Sequence, residues 1–129
     1  SESYMSDVMN STGSYPGVFG FDFDQVLVKG YNYSEHVNYA YKQGGVIEFY
    51  WMAGNPTNGE THSNKSGNPC ANLLPGGSAN AVWTEWLDTL SKHILNYQYN
   101  GTQIPIIFRL FHENTGGWYW WGYTSCSDS

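Results

Sequence analysis

One short stretch carries the side chains best suited to chemistry: Arg109, His112 and Glu113, then Asn114-Thr115-Gly116-Gly117, then Trp118-Tyr119-Trp120-Trp121. A carboxylic acid held among aromatic rings is poorly solvated, which favours its protonated form and lets it serve as a general acid near neutral pH. Flat aromatic faces beside it suit the apolar faces of sugar rings. The chemistry indicated is cleavage of a glycosidic bond, with this stretch supplying half of the site. A competing reading makes Arg-x-x-His-Glu an ion-paired strand end and the aromatic run plain core. Side chains alternate along a strand, however, so two of residues 118–121 must point away from the core. Large exposed aromatics mark a binding surface.

Such groups need an element to hold them. Ile104-Pro105-Ile106-Ile107-Phe108 is a near-continuous apolar run, as expected of a strand buried on both faces of a parallel sheet. A buried strand that delivers charged groups at its C-terminal end and then opens into a loop is the layout of a (β/α)8-barrel site. Val18–Phe23 and Val46–Trp51 are two earlier strands, and Asp22 and Asp24 either line the site rim or simply end a strand. Ser34 caps a helix running to about Gln43, with Val37, Ala40 and Tyr41 on one face and Gly44-Gly45 as the stop. A second helix, opened by Ser78 or Asn80, runs from Ala79 to about Tyr97, where Val82, Trp83, Trp86, Leu87, Leu90 and Ile94 form one stripe. Trp83 and Trp86 on that stripe are expected in the core. Residues 1–16, with Tyr4, Met5, Val8 and Met9 as scattered apolar positions, allow a short helix ending near Gly13. The order β-α-β-loop-α-β predicts a parallel α/β sheet, with a further strand expected between the second strand and the long helix. Ala71-Asn72-Leu73-Leu74 is a poor candidate for it. The loop 57–77 is long enough to demand a function, and at the rim of a barrel it would wall a cleft.

Composition narrows the partners. With 129 residues the chain is one domain of modest size. A net charge of -6 and a pI near 4.9 argue against nucleic acid or an anionic membrane surface. No apolar run approaches the roughly 20 residues of a membrane span. The first residue is Ser, which fits a processed product. Asn-x-Ser/Thr sequons at Asn10, Asn32, Asn64 and Asn100 point to a secreted protein. Cys70 and Cys126 either pair in an oxidising compartment or stay free. His62 with Cys70 has no metal-ligand spacing, so neither a metal nor a cofactor is expected.

The run from Phe108 to Gly122 resembles the acid/base segment of glycoside hydrolase family 26, whose usual wording is Arg-Pro-hydrophobe-His-Glu-x-x-Gly-x-Trp-aromatic-Trp-Trp-Gly. Leu110 stands where that family commonly has Pro. Gly20-Phe21-Asp22 is similar to its first-strand Gly-x-Asp. Gly44-Gly45-Val46 with Trp51 and Asn55-Pro56 is similar to its second-strand motif, in which a His follows the Trp. Met52 occupies that place here, and a thioether scarcely hydrogen-bonds a sugar hydroxyl.

The resemblance implies the N-terminal half of a (β/α)8 barrel over residues 1–129, acting as an endo-β-1,4-mannanase. It implies Glu113 as general acid/base, oriented by His112 and Arg109, with Trp118 as a sugar platform beside the cleavage point. Trp51, Trp121 and Asp22 are the further substrate contacts it implies. A complete barrel needs about 250 residues, and the family's nucleophilic Glu comes from a late strand beyond residue 129. The chain is therefore expected to need the rest of the barrel as a partner, to bind mannan, and to be inactive alone. Met52 leaves another β-glycan open, such as a β-1,3-xylan or a mixed-linkage glucan. A non-catalytic carbohydrate-binding module using Trp118, Trp120 and Trp121 is the reading from another class, though a binder has no use for Arg109, His112 and Glu113 at one strand end. A plain structural domain is the third.

Overall fold

The computed structural model of the chain describes residues 6–126. Its elements are α1 (Asp7–Thr12), β1 (Val18–Asp22), α2 (Asp24–Lys29), α3 (Ser34–Lys42) and β2 (Val46–Tyr50) in the first half. The second half holds α4 (Pro69–Leu73), α5 (Asn80–Asn96), β3 (Gln98–Tyr99), β4 (Thr102–Gln103) and β5 (Ile106–Arg109). The three long strands form one parallel sheet in the order β1-β2-β5. The expected extra strand between β2 and the long helix does not exist: β5 pairs directly with β2, and residues 71–73 belong to α4. Tyr4 and Met5 lie outside the described residues, and α1 ends at Gly13 as the sequence indicates.

Register and alternation fix what each face carries. Phe21, Phe49 and Phe108 align in one row, Gly20, Glu48 and Ile107 in another, and Asp22, Tyr50 and Arg109 in a third at the C-terminal ends. The phenylalanine face turns toward the helices. There Ile47 and Phe49 join Val37 and Ala40 of α3 and Trp83 and Leu90 of α5 in one apolar cluster. Rings do most of the filling: Phe23 stacks on Phe49 at 4.1 Å, and Trp51 stacks on Trp83 at 4.8 Å. Trp83 is buried and Trp86 packs against the same cluster, as expected. The opposite face holds the polar row.

Two expectations change. Ser34 is the first helical residue of α3 rather than its cap; Asn32 Oδ1 accepts from the Ser34 N–H at 3.0 Å and from its hydroxyl at 2.6 Å. The strand read as buried on both faces is not so in this chain, where Ile107 is 54% exposed and Phe108 36%. The reason is position: β5 closes the sheet, and no strand among the described residues pairs with its outer edge. Between α5 and β5, Asn100 and Gly101 take positive φ of 50° and 77° and link β3 to antiparallel β4. A glycine meets that demand without strain, so the dipeptide makes a hairpin as well as ending the helix.

The long loop after β2 is organised by one side chain. Asn55 is fully buried; its Nδ2 donates to the Asn64 and Ser66 carbonyls at 2.8 and 2.9 Å. Its Oδ1 accepts from the Thr57 N–H at 2.9 Å and from the Thr57 hydroxyl at 2.6 Å. All its hydrogen-bonding capacity is spent inside the loop, which is how a buried amide avoids a desolvation penalty.

Candidate active site

Glu113 stands just past the C-terminal end of β5, in a turn closed by the Gly116 N–H on the Glu113 carbonyl at 3.0 Å. Phe111 and Glu113 both have φ of 55°. Positive φ is uncommon in residues with a side chain, and such strain collects at functional sites. The Glu113 carboxylate is exposed and accepts a hydrogen bond from Trp118 Nε1 at 2.9 Å. Trp118 is itself 55% exposed. Glu113 and the one strongly exposed tryptophan of the described chain are thus neighbours.

His112 packs among rings at the same strand end. Tyr50, Tyr119 and Trp121 surround its ring at centroid distances of 6.0, 5.5 and 5.6 Å. Burial holds its pKa below the ordinary 6.5, and the Arg109 guanidinium adds to that; Glu113, Asp22 and Glu48 pull the other way. The imidazole is therefore neutral at neutral pH, and its buried Nδ1 has no hydrogen-bond partner among the described residues. Because the folded-state pKa lies below the unfolded one, the unfolded chain takes up the proton first. Stability that is present above about pH 6.5 should fall as pH drops through the folded value. Thermal melts across that range should show a steeper acid-side loss for the native protein than for His112→Gln.

Arg109 is exposed and lies in register with Tyr50, which in turn lies in register with Asp22. Burial, then the Asp22 charge, raises the pKa of the Tyr50 phenol, so Tyr50 stays a neutral donor. The structure thus brings Arg109, His112, Glu113 and Trp118 together at one sheet end. The orienting hydrogen bond to Glu113 is made by Trp118, not by His112 or Arg109.

The other expected substrate contacts are more buried than Trp118. Trp51 is 1% exposed and stacked on Trp83, and Trp121 is 4% exposed. Both rings are packed mainly against other aromatics, and Trp51 also borders a cavity. Trp121 stacks on Tyr119 at 4.5 Å and donates through Nε1 to the His112 carbonyl at 2.8 Å, so it clamps the strand end. Asp22 Oδ1 accepts from the Asp24 and Met52 N–H groups at 3.0 and 3.1 Å, tying the exits of β1 and β2 together. Beside it, burial and the Asp22 charge raise the pKa of Asp24. A cavity of about 450 Å3 lined by Asp24, Trp51, Met52, Glu60, His62 and Trp86 opens near these exits, and Glu113 is not part of its lining. Among the described residues no group of three or more His, Cys, Asp or Glu could hold a metal ion, and no helix is long and apolar enough to cross a membrane.

The loops around the site are tied to one another. Cys70 and Cys126 form a disulfide with Cα atoms 5.6 Å apart, joining α4 to the end of the aromatic loop. Lys65 Nζ donates to the Gly117 carbonyl at 2.8 Å, and the Trp120 N–H donates to the His62 carbonyl at 3.1 Å. With the cysteines separated by 56 positions in the sequence, removing the cross-link as Cys70→Ser/Cys126→Ser should cost about 4 kcal/mol by the loop-entropy relation. Urea unfolding of the protein, with and without the pair, reads that difference.

Tyr50 escaped the sequence reading, although counting alternation back along β2 would have found it. Gly116 stood in the motif, but its close approach to the Trp118 ring is seen only in the folded loop.

Comparison with known proteins places this geometry. The family model described as Glycosyl hydrolase family 26 matches residues 1–129. A mannan endo-1,4-beta-mannosidase of Bifidobacterium adolescentis is 30% identical over 145 aligned positions, covering 100% of this chain and 14% of that protein. The corresponding enzyme of Bacillus subtilis is 23% identical, covering 92% and 35%. Among solved structures, a modular endo-beta-1,4-mannanase of Cellulomonas fimi superposes with a TM-score of 0.88 at 32% identity, over 95% of this chain and 30% of that one. A Bacteroides ovatus beta-mannanase gives 0.88 at 31% identity over 98% and 40%. The chain spans well under two thirds of the proteins it matches, and its three parallel strands with their helices are part of their (β/α)8 barrel. This chain belongs to glycosyl hydrolase family 26.

Proposed function

We propose that this chain is part of the catalytic barrel of a retaining endo-β-1,4-mannanase, with Glu113 as general acid/base. The observation that carries the reading is the exposed Glu113 carboxylate at the end of β5, held by an indole N–H and flanked by an exposed tryptophan face. In this mechanism Glu113 protonates the glycosidic oxygen as its bond to the anomeric carbon breaks, and the bonding electron pair stays on that oxygen. A carboxylate from a strand outside this chain forms the new bond to the anomeric carbon. Glu113, now ionised, takes a proton from the water that releases the glycosyl group. The two carboxyls need to stand roughly 5 to 5.5 Å apart. Glu48 lies mid-strand in β2, Glu60 in the long loop and Glu85 on α5, so none is offered for that role.

Two features support a larger partner. The outer edge of β5 is unpaired among the described residues, and Ile107 and Phe108 are exposed along it. A following barrel strand would satisfy both. The net charge of -6 asks for no nucleic acid or anionic membrane. The disulfide requires an oxidising compartment, and a polymeric substrate is met outside the cell, which favours a secreted enzyme. Met52, beside β2's exit where the family has His, favours a second reading in which the same machinery cleaves another β-linked glycan.

The test is to incubate the complete enzyme with β-1,4-mannan and follow new reducing ends by NMR. Product first released as the β-anomer fits the proposal; α-anomer first would sink retention. Turnover of xylan or mixed-linkage glucan but not mannan would favour the second reading. The 129-residue chain alone should release nothing.

A further inference from the structure

Trp118 does more at this site than present a flat face. Its Nε1–H donates to Glu113 Oε2 at 2.9 Å, although nothing in stacking a sugar requires that nitrogen to be engaged. The indole reaches this place because Gly116 has no side chain. A Cβ built there would lie inside the contact distance of Trp118 Cζ2, Cη2 and Cε2, so any larger residue displaces the ring. The same turn is braced elsewhere: Tyr123 N–H donates to the Gly116 carbonyl at 3.2 Å, and Lys65 Nζ holds the Gly117 carbonyl. A seat of this kind restricts the rotation of a carboxylate that is otherwise exposed.

We propose that Trp118 is a positioning residue for the Glu113 carboxyl, and that Gly116 is the seat that lets it act. An indole is a donor only. With Oε2 occupied by it, the transferable proton belongs on Oε1, and the carboxyl is held with that oxygen toward the scissile bond. A single charge-assisted donor at an exposed carboxylate is a modest interaction, yet small misplacements of a proton donor are expensive in rate. The inference rests on Glu113 being the acid/base.

The experiment uses the complete enzyme and aryl β-mannobiosides of graded leaving-group acidity. A good leaving group departs with little protonation and a poor one needs the acid. Trp118→Phe keeps an aromatic face and removes the N–H; Gly116→Ala keeps the N–H and displaces the ring. Both should make kcat/KM depend more steeply on leaving-group acidity. The ratio of the poorest to the best substrate should fall about tenfold, in the same direction as for Glu113→Gln. Trp118 is largely exposed, so Trp118→Phe should melt with the parent. If both variants lower all substrates in parallel, Trp118 is a platform alone and the proposal is overturned. It is overturned equally if neither variant changes any rate. If Glu113→Gln itself shows no leaving-group dependence, the acid/base assignment has failed, and that outcome is distinct from a failure confined to Trp118 and Gly116.

Discussion

In the complete enzyme, Glu113→Gln should lower kcat/KM on mannan by about 10²- to 10⁴-fold, the range contributed by one positioned general acid/base. The melting temperature should not move, because the side chain is exposed and an amide oxygen can still accept the Trp118 N–H. This pairing of a large rate loss with an unchanged melt separates a chemical role from a structural one. Steady-state kinetics on mannan together with calorimetry reads both. A variant that hydrolysed mannan at the parent rate would remove Glu113 from the mechanism, whatever the family membership.

The second large effect is on stability. Trp120→Ala should cost about 3 to 5 kcal/mol, the usual range for emptying a buried tryptophan site. The ring is fully buried and meets Trp83, Phe111 and Trp121 edge-on at 5.8, 5.6 and 5.3 Å. Its Nε1 donates to the Ala53 carbonyl at 2.8 Å, which would be left unpaired in the core. The residue also lies against the cross-link, with the Cys70 and Cys126 sulfurs 3.7 and 3.2 Å from its carbonyl oxygen. Losing it should lower the melting temperature by about 10 °C in a barrel-sized protein. Trp118→Ala, two residues away, should stay within about 0.5 kcal/mol. If both cost the same, the division between buried and exposed tryptophans drawn here is wrong.

That division shows where sequence reading stopped. Alternation required some of residues 118–121 to face outward, but the segment is a turn rather than a strand, so counting could not say which. Trp118 proved exposed while Trp120 and Trp121 are core, and Trp51 went the same way because α5 supplies Trp83 to stack on it. The strands β1, β2 and β5 and the two long helices were legible because each keeps its own period against one apolar face. The absent fourth strand was an error of counting against a whole barrel: β2 and β5 are neighbours in space, and the loop between β2 and α5 is filled by hydrogen bonds to Asn55 and a short helix instead. Arg109, His112 and Glu113 could be placed at one sheet end from their position after an apolar run. The donor to Glu113 could not, since it depends on the Trp118 ring, five residues on, fitting over Gly116 by way of a turn.

The two faces of the sheet differ in a way that matters while the chain is still being made. The helix-facing side is filled by Ile47, Phe49 and the indoles of α5, all contributed from within the first 110 residues of the chain. The other side carries Asp22, Glu48, Tyr50 and Arg109, which tolerate water, with Ile107 exposed among them. A piece so divided can bury its greasy side as soon as it emerges from the ribosome, without waiting for later strands. What it leaves open is the backbone edge of β5, unpaired among the described residues, a template that a further strand can read by hydrogen-bond register. A strand added there would join a base whose Glu113 loop is already closed by its own hydrogen bonds.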